Sequence, residues 1–165
     1  MAGMTNALMG VLGTAVIVGS AAAGTNYIGS GPEQAGVSTS AAAVISSLTQ
    51  TTGAVVTGRV LHGGVASGPA GIHDLVRQGY LASLPTNPTT DAEEGLASLQ
   101  PARGPNGLTT EIIQMRLAND EKGQAVCDEV AKQATGNPAP TGNVFPLSAL
   151  SCVNTPAGPI AFSRV

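Results

Sequence analysis

The chain opens with an apolar stretch that carries no charge. Residues 1–28 contain no Lys, Arg, Asp, Glu or His, and the first charged side chain is Glu33. A helix that crosses the hydrocarbon core of a bilayer needs roughly 20 apolar residues. The pattern therefore predicts a helix over residues 1–28 that can lie in a membrane.

Four glycines interrupt this apolar stretch: Gly10, Gly13, Gly19 and Gly24. Each costs about 1 kcal/mol relative to Ala in a helix interior, so such a helix needs neighbours. Small residues also recur four apart, as in Ala15 and Gly19, and this spacing lets helix backbones approach closely inside a membrane. The pattern predicts a helix that packs against copies of itself, with the four glycines in the packed core.

Two other interpretations of residues 1–28 stay open. The first is a secretory signal peptide, because the small residues Ala21–Ala23 suit a cleavage site. The absence of a basic region before the apolar run is atypical of that class. The second is a buried core helix, although the stretch is long for one.

The helical pattern resumes after the Gly29–Pro32 segment, where Pro kinks or interrupts a helix. The apolar positions then recur at helical spacing, with Ser and Thr on the other face; they are Val37, Ala41, Val44, Ile45 and Leu48. We predict one long helix over residues 1–52 with a bend near residues 29–32. Its parts are an apolar half (1–28) that projects and an amphipathic half (29–52) that packs on a globular head (53–165).

The head is predicted to contain short elements of both kinds. Residues 53–68 are rich in Gly and Val and predict a loop that holds at most a short strand. Pro69 suits the first turn of a short helix over 69–78, and Gly79 suits the position after its end. Residues 89–107 are predicted to be irregular, with at most a turn of helix at 91–99. The alternation over 108–119 predicts a strand with one buried face.

The C-terminal third predicts one helix and two strands. Asp120 can cap a helix over 121–134, since Asp is a favoured N-cap residue. Strands are predicted at 144–150 and 158–164. The expected fold class is α+β, with the long N-terminal helix against a small, mainly antiparallel sheet and a disulfide region near the C-terminus.

Composition narrows the function classes. Apolar residues make up 42% of the chain but aromatic residues only 2%, so the head lacks the large side chains that usually dominate burial. The net charge is −3 and the isoelectric point is near 5.2. A nucleic-acid-binding domain would show a basic face instead, so we expect no nucleic-acid partner.

Two cysteines, Cys127 and Cys152, are the only ones in the chain. An even count fits one disulfide in an oxidising compartment, and two buried free thiols are the alternative. Because the apolar N-terminal segment points to export, we predict a Cys127–Cys152 disulfide that joins the helix over 121–134 to the C-terminal strands.

Motifs for catalysis or metal binding are not recognisable in the sequence. His62 and His73 lie eleven residues apart, without the spacing of a zinc site. Neither a phosphate-binding loop nor a nucleophile elbow occurs. We therefore expect no enzyme activity, no metal and no cofactor.

The whole pattern resembles a type IV pilin, most closely the type IVb branch that includes the toxin-coregulated pilins. The resemblance is carried by the apolar-then-amphipathic N-terminal helix and by two segments around the cysteines, 123–127 and 150–162. Residues 75–88 are also similar to the helix-to-sheet loop of pilins and pseudopilins. Met1 matches a common first residue of mature type IVb pilins.

The resemblance implies that the chain is the major subunit of an extracellular helical filament, a pilus used for adhesion, aggregation or conjugative mating. It further implies a subunit held in the inner membrane before assembly, cut by a prepilin peptidase and lifted by the pilus assembly machinery. Its main partner would then be itself.

The chain departs from the family at one position. Most pilins carry Glu at mature position five, where it pairs with the N-terminal amine of a neighbouring subunit, whereas this chain has Thr5. An unpaired charge in an apolar core is strongly unfavourable. We therefore expect the amine of Met1 to be met by Thr5, by Asn6 and by backbone carbonyls, with the helix partly unwound between about Gly10 and Gly19.

Two other functions are also compatible with the sequence. One is a pseudopilin or minor pilin of a secretion system. The other is a secreted binding domain whose signal peptide ends at Ala23.

Overall fold

The computed structural model describes residues 32–91 and 95–165. Within them the chain is α+β, as expected, with a long helix packed on an antiparallel sheet. The helices are α1 (Pro32–His62), α2 (Pro69–Arg77) and α3 (Glu121–Thr135). The strands are β1 (Ser98–Arg103), β2 (Thr109–Arg116), β3 (Leu150–Thr155) and β4 (Gly158–Arg164).

One side of α1 packs into the main core. The buried positions recur three or four residues apart, which is the spacing of neighbours on one helix face; they are Ala41, Val44, Leu48, Thr51 and Val55. We call these residues the inner stripe. The predicted apolar face is therefore confirmed at Ala41, Val44 and Leu48, while Val37 and Ile45 pack at its margin.

The predicted end of this helix, near residue 52, is wrong, because α1 continues to His62. Glycines and β-branched residues are poor helix formers, so local propensity favours the predicted loop over 53–68. Tertiary packing overrides it, since Val55 is fully buried and Gly58 lies against Leu75 of α2. The predicted boundary between helix and head therefore falls inside α1.

The four strands form one antiparallel sheet in the order β1-β2-β4-β3. Strand β1 lies in the region predicted to be irregular with at most a turn of helix, so that prediction is wrong over Ser98–Arg103. Pro101 in the centre of β1 argues against a central strand, but β1 is an edge strand, where Pro is tolerated. The predicted strand at 144–150 is also wrong. Pro146 lacks a ladder donor, and the strand forms later, over Leu150–Thr155.

The two faces of the sheet are covered differently. The inner stripe, α2 and α3 pack on one face and share a core with Leu99, Ile113 and Met115. On the other face, a smaller core lies beneath the segment at 144–149. It consists of Ala102, Ile112, Val153 and Phe162, with Phe145 packed against them. The ring of Phe145 meets that of Phe162 edge-on, with centroids 5.1 Å apart.

Candidate functional site

The predicted disulfide is confirmed. Cys127 on α3 and Cys152 on β3 are bonded, their Cα atoms are 5.3 Å apart, and both side chains are fully buried. The bond ties α3 to the strand at one edge of the sheet. This covalent link fixes the helix that also packs beside α1.

Local interactions fix both ends of helix α3. Asp120 accepts a hydrogen bond from the Gly123 backbone N–H at 2.7 Å, which is the N-cap arrangement. Gly136 ends the helix in the left-handed conformation, with φ at 78°. Asp128 then accepts from the Ala139 N–H and from Asn154, which fastens the following loop to β3.

Removal of the α3 cap gives a first expected result. Asp120→Ala should lower the free energy of unfolding by about 1 kcal/mol, because the Gly123 N–H loses its acceptor. Asp120→Asn is the matched control, since Asn caps a helix about as well as Asp. Chemical denaturation of the full chain measures both. Equal stability of the Ala and Asn variants would contradict the role of the cap.

The side of α1 opposite the inner stripe is exposed and carries no charge. Six positions follow one another at spacings of four and three residues, and we call them the outer stripe: Ala42, Ser46, Thr49, Gly53, Val56 and Val60. Val56 is 47% and Val60 is 79% exposed. A helix that faces only water normally shows charged or strongly polar residues on that side.

The threonine hydroxyls on α1 are turned towards the backbone of the helix. All five threonines of the helix donate to the carbonyl four residues earlier; for Thr49 the acceptor is Ile45 and the distance is 2.8 Å. This internal bonding satisfies the polar atom without solvent. Within the outer stripe this applies to Thr49, whereas the Ser46 hydroxyl accepts a hydrogen bond from Gln50 Nε2 at 3.0 Å.

Two glycines on the exposed side of α1 lie where the head has room for a larger side chain. A Cβ added at Gly36 or Gly53 would meet no atom within 4 Å. By contrast, a Cβ at Gly58 would lie 3.0 Å from Leu75, so Gly58 permits the contact between α1 and α2. Glycine in a helix interior is destabilising, and the head itself gains nothing from Gly53.

Each edge of the sheet is partly hydrogen-bonded to neighbouring segments. On β1, the carbonyls of Leu99 and Arg103 accept from the N–H groups of Gly68 and Phe145, and Pro101 between them has no donor. On β3, Asn154 is paired on its outer side with Pro140 and Gly142. These contacts hinder the addition of a further strand at the paired positions.

The two histidines lie on different helices and differ in their contacts. His62 Nε2 is hydrogen-bonded to the Tyr80 hydroxyl at 2.7 Å, and this contact joins the end of α1 to the residues after α2. His73 is exposed on α2. Within residues 32–91 and 95–165, no three His, Cys, Asp or Glu side chains are grouped closely enough to hold a metal ion.

Most of the residues predicted to act in assembly lie outside the described part of the chain. They are the helix-packing residues Gly10, Gly13, Gly19 and Gly24 and the residues around the N-terminal amine, Met1, Thr5 and Asn6. In the described part, no helix is long and apolar enough to cross a membrane. The outer stripe was not singled out from the sequence, although its four-and-three spacing of small residues was a signal that could have revealed it.

Comparison with known proteins gives no match. No family model, curated protein or solved structure is significantly similar to this chain.

Proposed function

We propose that the chain is the major structural subunit of a helical filament similar to a type IVb pilus. The observation that carries the proposal is the distribution of charge along the N-terminal third of the sequence. Between Met1 and Gly58 the single charged side chain is Glu33. The apolar run over residues 1–28 suits an apolar environment, first a lipid bilayer and then other copies of the chain.

The head has features that suit a structural subunit. Both sheet edges are partly hydrogen-bonded to other segments of the head, which hinders strand-by-strand addition of copies. The disulfide ties α3 to β3 within the aromatic-poor head. Both features leave the exposed side of α1 free for packing between subunits.

The cellular setting follows from the resemblance to pilins. The subunit is held in the inner membrane by residues 1–28 before assembly, after a prepilin peptidase has removed a leader. Pilus assembly machinery then moves it into an extracellular filament. Thr5 and Asn6 take the place of the family's glutamate in meeting the N-terminal amine of Met1.

Filament formation by the source cells tests the proposal. Sheared surface filaments should contain this chain as their main component, and a gene deletion should remove them. N-terminal sequencing of the mature chain is the second measurement. A start at Gly24 would contradict the proposal and favour the secreted binding domain.

The abundance of the chain in purified filaments separates the remaining alternative. A major subunit makes up nearly all the protein of the filament. A chain present only as a trace component, with filaments built from another protein, would be a pseudopilin or minor pilin. In that case the N-terminal segment would still pack among filament subunits, but the chain would not be the main component of the filament.

A further inference from the structure

We infer that Asn106 and Gly107, in the turn between β1 and β2, form a site of spontaneous deamidation, where the side-chain amide of Asn106 becomes a carboxylate. Asparagine is among the thermolabile side chains of proteins, and Asn106 is the one asparagine in the chain that is followed by Gly. The reaction needs only this turn and water, so it does not depend on the proposed function.

Backbone hydrogen bonds fix the conformation of the turn. The Gly107 N–H donates to the Gly104 carbonyl at 3.0 Å, and the Gly104 N–H donates to the Leu108 carbonyl at 2.9 Å. Gly107 is in the left-handed region, with φ at 76°. A β-turn followed by such a residue is a common hairpin connection. Asn106 therefore lies at the tip of the hairpin, directly before a residue without a side chain.

The side chain of Asn106 is folded back on the backbone that attacks it. Its Oδ1 accepts a hydrogen bond from the Leu108 N–H at 3.2 Å, which is an Asx turn. This bond holds the side-chain carbonyl carbon next to the peptide nitrogen of Gly107. A residue without a Cβ does not hinder the approach of that nitrogen. Asn106 and Gly107 are also exposed, so water reaches them.

The reaction is a cyclisation followed by hydrolysis. The Gly107 backbone nitrogen loses its proton to hydroxide and bonds to Cγ of Asn106. The bond from Cγ to the side-chain nitrogen breaks, and that nitrogen leaves as ammonia with a proton from water. Water then opens the cyclic imide at one of its two carbonyl carbons and gives aspartate or isoaspartate. In sum, one water is consumed and one ammonium ion is released, without an oxidant or a reductant.

The side chain of Arg103 is placed to favour the new charge. Its guanidinium lies 4.0 Å from the position of a Cβ on Gly107. Neither of the ion pairs within residues 32–91 and 95–165 includes Arg103. A cation beside the turn stabilises both the negative charge that develops on the attacked amide oxygen and the carboxylate of the product.

Ageing of the purified full-length chain in warm, mildly alkaline buffer tests the inference. Trypsin cuts after Arg103 and Arg116, and the peptide 104–116 contains Asn106 as its single asparagine. We expect this peptide to exchange the mass of an amino group for that of a hydroxyl and to separate into an isoaspartate and an aspartate form. Isoelectric focusing of the undigested chain should show a band with one more negative charge.

Another exposed asparagine of the chain provides an internal reference. Asn143 precedes Val144 in an exposed part of the loop before β3. Conversion at Asn106 should be at least about tenfold faster than at Asn143, because the β-branched side chain of Val144 hinders the attack. Equal conversion at the two positions would contradict the inference, since the Asn–Gly turn would then have no special reactivity.

Two variants of the full-length chain complete the test. Asn106→Gln is the matched control: it keeps an amide, but its longer side chain disfavours ring closure, so the charge of the chain should not change in the same incubation. Asn106→Asp carries the product from the start. It should unfold at a temperature no lower than the unaltered chain, because Asp also accepts from the Leu108 N–H and lies beside Arg103.

The folded state of the unaltered chain, checked by its melting temperature, decides the outcome. If peptide 104–116 stays unchanged in the folded chain and converts only after unfolding in urea, the hydrogen bonds of the turn protect Asn106 and the inference is wrong. A lower melting temperature of Asn106→Asp would show that the turn does not accept the carboxylate, which would contradict the role given to Arg103.

Discussion

Replacing both cysteines with alanine is expected to lower the free energy of unfolding by about 3.5 kcal/mol. The disulfide closes a loop between positions 25 residues apart, and this value follows from the entropy that such a link removes from the unfolded chain. The loss is a large share of the total stability of about 5–15 kcal/mol that is usual for a domain. Chemical denaturation of the Cys127→Ala/Cys152→Ala double variant measures it.

Reduction of the unaltered chain provides the control for this result. The reduced protein has both thiols in place, so it loses the link without losing buried volume. Its stability should fall nearly as far as that of the double variant. Intact mass before and after reduction should differ by two hydrogens. An equal midpoint of denaturation with and without reductant would contradict the stabilising role of the bond.

Gly123→Ala is expected to destabilise the head by about 2 to 3 kcal/mol, which is the usual cost of forcing extra atoms into a packed site. A Cβ at Gly123 would overlap the carbonyl oxygen of Ala118 and lie 2.7 Å from its carbonyl carbon. These are backbone atoms, which cannot swing aside as the end of a side chain can. The turn into α3 must therefore shift, and the Asp120 cap on Gly123 shifts with it.

Gly53→Ala gives the matched control on another helix. Its Cβ would meet no atom of the head, so the substitution should stabilise α1 by about 0.5 to 1 kcal/mol, the difference in helix propensity between the two residues. Denaturation of the two variants side by side should move the midpoint in opposite directions. A stable Gly123→Ala variant would mean that the loop before α3 can relax at little cost.

The two glycines have different consequences for function. Gly123 serves the fold of the head, because it lets the chain pass close to Ala118 at the start of α3. At Gly53 a Cβ would meet no atom of the head, so the fold of the head does not require a glycine at this position.

Local signals in the sequence were sufficient for several elements. The helices at 69–78 and 121–134 agree closely with α2 and α3. The strand predicted within 108–119 forms as β2, but it is buried on both faces rather than on one, because Ile112 belongs to the smaller core and Ile113 to the main core. In each case the evidence was short-range: Pro69 at a first turn, the alternation of Ile113 and Met115 with Gln114, and Asp120 as a cap. Such features depend on neighbours in the chain, so a pattern along the sequence contains them.

The cysteine pairing was also available from the sequence, because two cysteines permit a single intramolecular bond. Its geometry was not. The sequence does not say that Cys127 and Cys152 are fully buried, or that the bond ties α3 to an edge strand. Those facts depend on how the helix is laid against the sheet.

Tertiary structure decided the features that have no local cause. The last ten residues of α1 are helical because Val55 and Gly58 pack against the head, although their propensity disfavours it. Strand β1 contains Pro101 because it lies at an edge, where a missing donor is harmless. Segment 144–149 is not a strand, since Phe145 packs on Phe162 while Val144 and Leu147 remain exposed.

The sequence by itself determined the absence of charge over residues 1–28, the α+β fold class, the Asp120 cap and the cysteine pair, because each depends on the order or the number of residues. Only the tertiary structure decided which side of α1 is buried beyond residue 52, which edges are closed and which glycine lacks a packing partner. Those properties depend on contacts between residues that are far apart in the chain, and a local sequence pattern does not specify such contacts.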